Sequence, residues 1–221
     1  MQNCTEFSRL ETEYVRMKQK RIGILGGSFN PIHNGHIKMA YIALYEFLLG
    51  EVVFLPLGTA PHKRDEFMAS VHHRLEMIRL AIADEKRFCL STLETERKGY
   101  TYTVDTLELL SRSKKDTAYY YIIGADTLFE LQSWKNYERV FLLTDFICIL
   151  RPGQDDTSVK NCAEKLNERF GHKIHLAQER GPDISASHIR SLVSVNKLKD
   201  GLVPRKVEHY MMQNRVYGKE D

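Results

Sequence analysis

Short, mostly apolar runs alternate with amphipathic stretches along most of the chain, and this alternation limits the fold more than any other feature. Residues 22–25, 52–57, 88–90, 119–123, 146–150 and 174–176 read as strands. Helical patterns lie between them. Residues 36–49 carry Ile37, Tyr41, Leu44 and Leu48 on one face, with Gly50 as the stop. Residues 71–83 carry Leu75, Ile78 and Ile82 inward. Residues 104–110, 125–131 and 159–170 continue the series. Two more helices follow, one from about Ser185 and one after Pro204, a residue suited to a first helical position. Strands that are apolar throughout, rather than alternating, belong to a parallel sheet buried on both faces. The expected class is therefore α/β: a doubly wound parallel sheet with helices on both faces. Such sheets bind ligands where the carboxyl ends of the strands meet a topological switch point. The segments to search lie just after Leu25, Leu57, Ile123 and Leu150.

The 221 residues suit one such domain with a small appendage. Residues 1–20 are polar and read as an N-terminal extension, with Leu10, Tyr14 and Met17 at helical spacing; the domain is expected over 21–221. Lys and Arg number 32 against 29 Asp and Glu, for a net charge of +3. A balance this close speaks against a nucleic-acid partner and requires any anion site to be local. Cys4, Cys89, Cys148 and Cys162 are scattered, without a CxxC pair. Cys89 and Cys148 sit in apolar runs and read as buried and reduced, which favours a reducing compartment. With no apolar leader and no run long enough to span a bilayer, the reading is cytoplasmic, without a membrane partner. His72 and His73 read as a solvated helix start, not a metal pair. The oligomeric state, a homo-oligomer included, is left open.

Two segments carry chemistry. The first, Gly26-Gly27-Ser28-Phe29-Asn30-Pro31-Ile32-His33-Asn34-Gly35-His36, follows the first strand. Paired glycines let backbone amides approach an anion closely. Asn34 and Gly35 can open the next helix, whose N-terminus favours negative charge. His33 and His36, three apart at that opening, can donate to phosphate oxygens on one side. The second segment is Ile184-Ser185-Ala186-Ser187-His188-Ile189-Arg190. There Ser185 or Ser187 can cap a helix, and the opening offers amides, hydroxyls and the guanidinium of Arg190, all donors suited to a polyphosphate.

Together these segments resemble the HxGH and ISSTxIR signatures of a Rossmann-like nucleotidyltransferase superfamily, with Ala186 in place of the middle serine. Further matches narrow the likeness to the nicotinate-nucleotide adenylyltransferases. Ala60-Pro61-His62-Lys63 resembles their PPHK loop, and residues 99–106 their SYTxDT segment. Gly124-Ala125-Asp126 resembles their GAD loop, with Trp134 at the family's spacing, and Arg151-Pro152-Gly153 closes the next strand as in the family. The similarity covers residues 21–217 in order.

The resemblance implies adenylyl transfer from ATP to nicotinate mononucleotide. It assigns His33, His36 and Arg190 to catalysis. It places Gly26, Gly27, Ser28, Phe29, Gly124, Asp126, Arg151, Ser185, Ser187 and Ile189 about ATP. It places Asn30, Lys63, Tyr102, Thr103 and Trp134 about the mononucleotide, with Trp134 stacked on the pyridine ring and the Tyr102 and Thr103 amides on its carboxylate. Mg²⁺ is expected to arrive with ATP, since magnesium keeps its waters and prefers substrate phosphates to a protein cage. Transfer to pantetheine phosphate or nicotinamide mononucleotide and a noncatalytic nucleotide-binding domain are the competing readings.

Overall fold

The computed structural model describes residues 19–58, 68–113 and 116–218. The extension up to residue 18, Cys4, and the loop with Pro61, His62 and Lys63 lie outside the described residues. Six parallel strands form one sheet in the order β3-β2-β1-β4-β5-β6. These are β1 (Lys20–Gly27), β2 (Glu51–Pro56), β3 (Phe88–Leu90), β4 (Thr117–Gly124), β5 (Asp145–Ile149) and β6 (Ile174–Leu176). The order reverses between β1 and β4, which lie side by side, and this is the switch point at which a crevice opens. In register, Leu25 of β1 stands between Phe54 of β2 and Ile122 of β4.

The helices are α1 (Asn34–Glu46), α2 (Val71–Ile82), α3 (Thr103–Ser113), α4 (Ala125–Glu130), α5 (Tyr137–Leu143), α6 (Asp156–Phe170), α7 (Ala186–Val193) and α8 (Arg205–Gln213). Each sheet face has its own core. Leu25, Phe54, Tyr120, Ile122, Ile147 and Ile149 pack with α1, α2, α7 and α8. Ile22, Ile24, Tyr119, Tyr121, Ile123, Phe146 and Cys148 pack with α3 to α6. Successive residues of β4 thus alternate between two dry layers, which is why the strand reads as uniformly apolar. Burial on both sides also makes the sheet a rigid mount for the loops at its carboxyl edge.

Several expectations are corrected. β1 begins at Lys20, ahead of the expected strand start at Ile22; the Lys20 N–H donates to Asp116 O at 3.1 Å and its ammonium pairs with Glu51 at 2.7 Å. The first helix stops at Glu46 rather than near Gly50. Leu48, expected inward, takes a left-handed φ of 51° and is exposed. On α2 the inward position falls to Arg74, with Met77, Ile78 and Ile82, while Leu75 is half-buried. Helix α5 was not foreseen; its register starts from left-handed Asn136, which no periodicity announces. Pro204 is the N-cap of α8, one place before its first turn. Cys89 is exposed, because β3 is a three-residue edge strand that buries Phe88 and turns its neighbour outward; Cys148 is fully buried. Among the described residues no helix is long and apolar enough to cross a membrane.

Candidate active site

The turn leaving β1 is shaped by close approaches from beneath. A side chain at Gly26 would run into the Tyr121 hydroxyl, so only glycine lets β1 pass β4 here. Phe29 adopts φ 46°, and its ring is buried, against Phe54 at 5.9 Å and edge-on to His36 at 4.9 Å. The core contact holds a backbone conformation that an exposed phenylalanine would abandon. Of Phe29, only the backbone is left to meet a nucleotide.

His33 is the N-cap of α1, and His36 lies one turn on. Their rings stack at 3.7 Å and 26°. The backbone N–H of His33 donates to Nδ1 of His36 at 3.2 Å, which leaves the His36 proton on Nε2 and makes that atom a donor. His33 is 5% exposed, and its ring faces the backbone of His36 in a reciprocal capping arrangement. Burial, assisted by the Arg151 charge, lowers the His33 pKa to about 3. Burial, then His33 and Arg151, hold His36 well below its ordinary range. Both rings are neutral at pH 7. Gly35 makes the arrangement possible: an added Cβ would stand 2.8 Å from Nδ1 of His33.

Arg151, Ile149, Gly181, Pro182 and Ile184 line a crevice with His33, Gly35, His36 and Met39. The Arg151 backbone is tied down on both sides. Its N–H donates to Gln154 Oε1 at 2.7 Å, and its carbonyl accepts Arg180 Nη1 at 3.0 Å. Arg180 in turn grips both Asp156 carboxylate oxygens, at 2.5 and 2.6 Å. Gln154 also donates to Asp126 at 3.3 Å, linking the turn after β5 to the one after β4, where Gly124 caps α4.

Ser185 caps α7, its hydroxyl accepting the N–H of His188 at 3.3 Å, and it lies 3.3 Å from the Ser187 hydroxyl. Ala186 occupies the first helical position between them, where alanine suits the helix. Arg190 donates Nη1 to the Asn30 carbonyl at 2.8 Å, joining the two signature segments. The side chain of Ile189, expected beside ATP, is fully buried in the core, so that, as at Phe29, only its backbone is left to meet a nucleotide. Asn30, expected at the mononucleotide, is 2% exposed, and its Oδ1 accepts from the Ala69 N–H and the Tyr217 hydroxyl.

On the other side of the switch point, the Tyr102 carbonyl accepts the N–H groups of Asp105 and Thr106, at 3.1 and 3.2 Å. Thr103 therefore opens α3, where a helix leaves its first amides without intrahelical partners. Lys135 places its ammonium 4.0 Å from the Tyr102 ring centre. Trp134 is half-buried, edge-on to Tyr121 at 5.6 Å and Phe146 at 6.4 Å.

Sequence reasoning missed Arg74. It is 1% exposed and bridges the carbonyls of Ser28 and Leu57 at 2.9 and 3.0 Å, clamping the turns after β1 and β2 together. Its spacing with Ile78 and Ile82 was the available signal. Gln154, Arg180 and Tyr217 were missed as well; their roles depend on contacts distant in sequence.

The cytidylyltransferase-like family model matches residues 24–192. A Citrifermentans bemidjiense protein named "Probable nicotinate-nucleotide adenylyltransferase" is 38% identical over 211 residues, covering 89% of this chain and 98% of its own. A Synechococcus protein of the same name is 39% identical, covering 90% and 96%. The chain belongs to the nicotinate-nucleotide adenylyltransferase family. Members share its fold at greater distance: the Plasmodium falciparum nicotinic acid mononucleotide adenylyltransferase, solved with NaAD, aligns with a TM-score of 0.73 at 23% identity, over 90% of this chain and 97% of that one. As a nicotinate-nucleotide adenylyltransferase family member, the chain keeps both histidines and Arg190, and departs from the motifs at Ala60 and Ala186.

Proposed function

We propose that this enzyme transfers the adenylyl group of ATP to the phosphate of nicotinate mononucleotide, giving nicotinate adenine dinucleotide and pyrophosphate. The observation that carries the reading is the stacked pair of neutral imidazoles at the opening of α1, on one crevice with Arg151. A phosphate oxygen of the mononucleotide forms a bond to the α-phosphorus of ATP while the bond to the bridging oxygen breaks, and pyrophosphate departs with that electron pair. Both reactants are anions, so positioning and charge neutralisation are the main tasks of the protein.

His36 donates through Nε2 to the α-phosphoryl group, and His33 supports it from the stacked position. Both rings are neutral in the free protein, and an arriving polyphosphate raises their proton affinity. Amides of the Gly26–Ser28 turn and the guanidinium of Arg151 add donors. Arg190, Ser185 and Ser187 serve the β- and γ-phosphates, and Asp126 with Gly124 the adenylate part. The donor set is imidazole, guanidinium and amide rather than carboxylate, which fits Mg²⁺ entering on the phosphates of its substrate. The first amides of α3, at Tyr102 and Thr103, suit the acceptor-only carboxylate of nicotinate, and Trp134 offers an indole to its ring. Lys63 is assigned to the mononucleotide side by its motif alone. The absence of a CxxC pair and the buried thiol of Cys148 support a cytoplasmic setting.

The test is pyrophosphate release with ATP, Mg²⁺ and nicotinate mononucleotide, nicotinamide mononucleotide or phosphopantetheine. Strong preference for the nicotinate form is expected. Equal use of acid and amide would remove the acid-selective pocket. No release with any of the three would leave a nucleotide-binding domain.

A further inference from the structure

Three separate parts of the chain converge on Asn30. Its Oδ1 accepts the N–H of Ala69 at 3.0 Å, just ahead of α2, and the hydroxyl of Tyr217 at 2.7 Å, beyond α8. Its carbonyl accepts Nη1 of Arg190, on α7, at 2.8 Å. Two residues earlier, the Ser28 carbonyl accepts Arg74 of α2. Asn30 and Tyr217 are 2% and 6% exposed, so water competes little for these bonds. Tyr217 reaches its place through a left-handed φ of 69°, a conformation that tyrosine adopts only where its surroundings impose it. The charges of Arg190 and Arg74 both act on its hydroxyl, countering the effect of burial.

We infer that Tyr217 is a positioning residue for the polyphosphate: its hydroxyl fixes the Asn30 side chain, and the Asn30 carbonyl thereby fixes one arm of Arg190. The remaining guanidinium donors are left for the β- and γ-phosphates. An arginine held by one nitrogen has already lost much of the rotamer freedom that phosphate binding would otherwise remove, so the anchor acts on ATP binding more than on the chemical step. The inference rests on the ATP reading above. It assigns a role to the C-terminal tail, which lies outside both signature segments.

Tyr217→Phe removes the hydroxyl and keeps the ring. The expected result is a rise in KM for ATP of about three- to tenfold, the range of one internal hydrogen bond, with kcat and the KM for the mononucleotide close to wild type. Tyr210→Phe is the control. It deletes a hydroxyl of α8 that meets Nδ1 of His73 at 2.9 Å, away from Asn30, and should leave the KM for ATP unchanged while lowering the melting temperature by a similar few degrees. In an Arg190→Ala background, Tyr217→Phe should add nothing further to the loss of ATP affinity. An unchanged KM in Tyr217→Phe, an equal rise in Tyr210→Phe, or full additivity with Arg190→Ala would each overturn the inference while the proposed reaction stands. A wild-type enzyme that releases no pyrophosphate from ATP would overturn both.

Discussion

Gly35→Ala separates folding from catalysis, because it should leave the first nearly unchanged and strongly impair the second. Gly35 is the buried second residue of α1. The new Cβ would stand 2.8 Å from Nδ1 and 2.9 Å from Cε1 of His33, with Ile184 Cβ at 3.5 Å on the other side. The His33 ring must therefore give way, and since it stacks on His36 at 3.7 Å, the second imidazole shifts too. Alanine stabilises a helix by about 1 kcal/mol over glycine, whereas forcing a side chain off its rotamer costs about 0.5–1.5 kcal/mol. These nearly cancel, leaving at most about 0.5 kcal/mol, so the melting temperature should change by no more than about 2 °C. Transfer chemistry is far less tolerant, since a misplacement of about 1 Å costs roughly a hundredfold in rate. Pyrophosphate release by Gly35→Ala should fall roughly a hundredfold, in a protein that melts almost as the wild type does. Near-normal turnover at an unchanged melting temperature would refute the argument that packing on Gly35 sets the catalytic imidazoles.

The depressed His33 and His36 pKa values make stability pH-dependent in a definite direction. The unfolded chain takes up protons near 6.5 and the folded one does not, so stability is complete above pH 6.5. It falls as pH drops below that, for His33 toward about 3 and for His36 in the same direction, by at most about 1.4 kcal/mol per unit for each ring. Denaturant titrations should show this slope flattened in His33→Asn, and equal slopes would count against buried neutral rings. Arg74→Leu strips the Ser28 and Leu57 carbonyls of their donor and should cost about 2–5 kcal/mol in chemical denaturation; a loss below about 0.5 kcal/mol would show that the clamp contributes little. Trp134→Ala should raise the KM for the mononucleotide about tenfold or more, with ATP little affected, since aromatic stacking contributes about 1–3 kcal/mol. Equal changes for both substrates would deny the indole its place beside the pyridine.

The strand positions and the doubly wound order were legible because a sheet buried on both faces demands unbroken apolar runs, and 119–123 and 146–150 supply them. The turn between the first strand and the first helix was legible because paired glycines, two histidines and a helix opening are all local in sequence. Arg74 was read past because a charged residue on an inward face violates the pattern used to find that face; here two backbone carbonyls satisfy it. The burial of the Ile189 and Asn30 side chains was not legible, because it depends on packing rather than on their neighbours in the motif.

What the sequence by itself determined was the set of elements and the chemistry of the loops joining them, since periodicity, caps and glycine turns act over a few residues. What only the tertiary structure decided was how those loops are held: Tyr217 on Asn30 across 187 positions, Arg74 on two turns, Gln154 on Asp126. Such bonds join residues remote along the chain, and a buried polar group takes whichever partner the completed fold brings within about 3 Å.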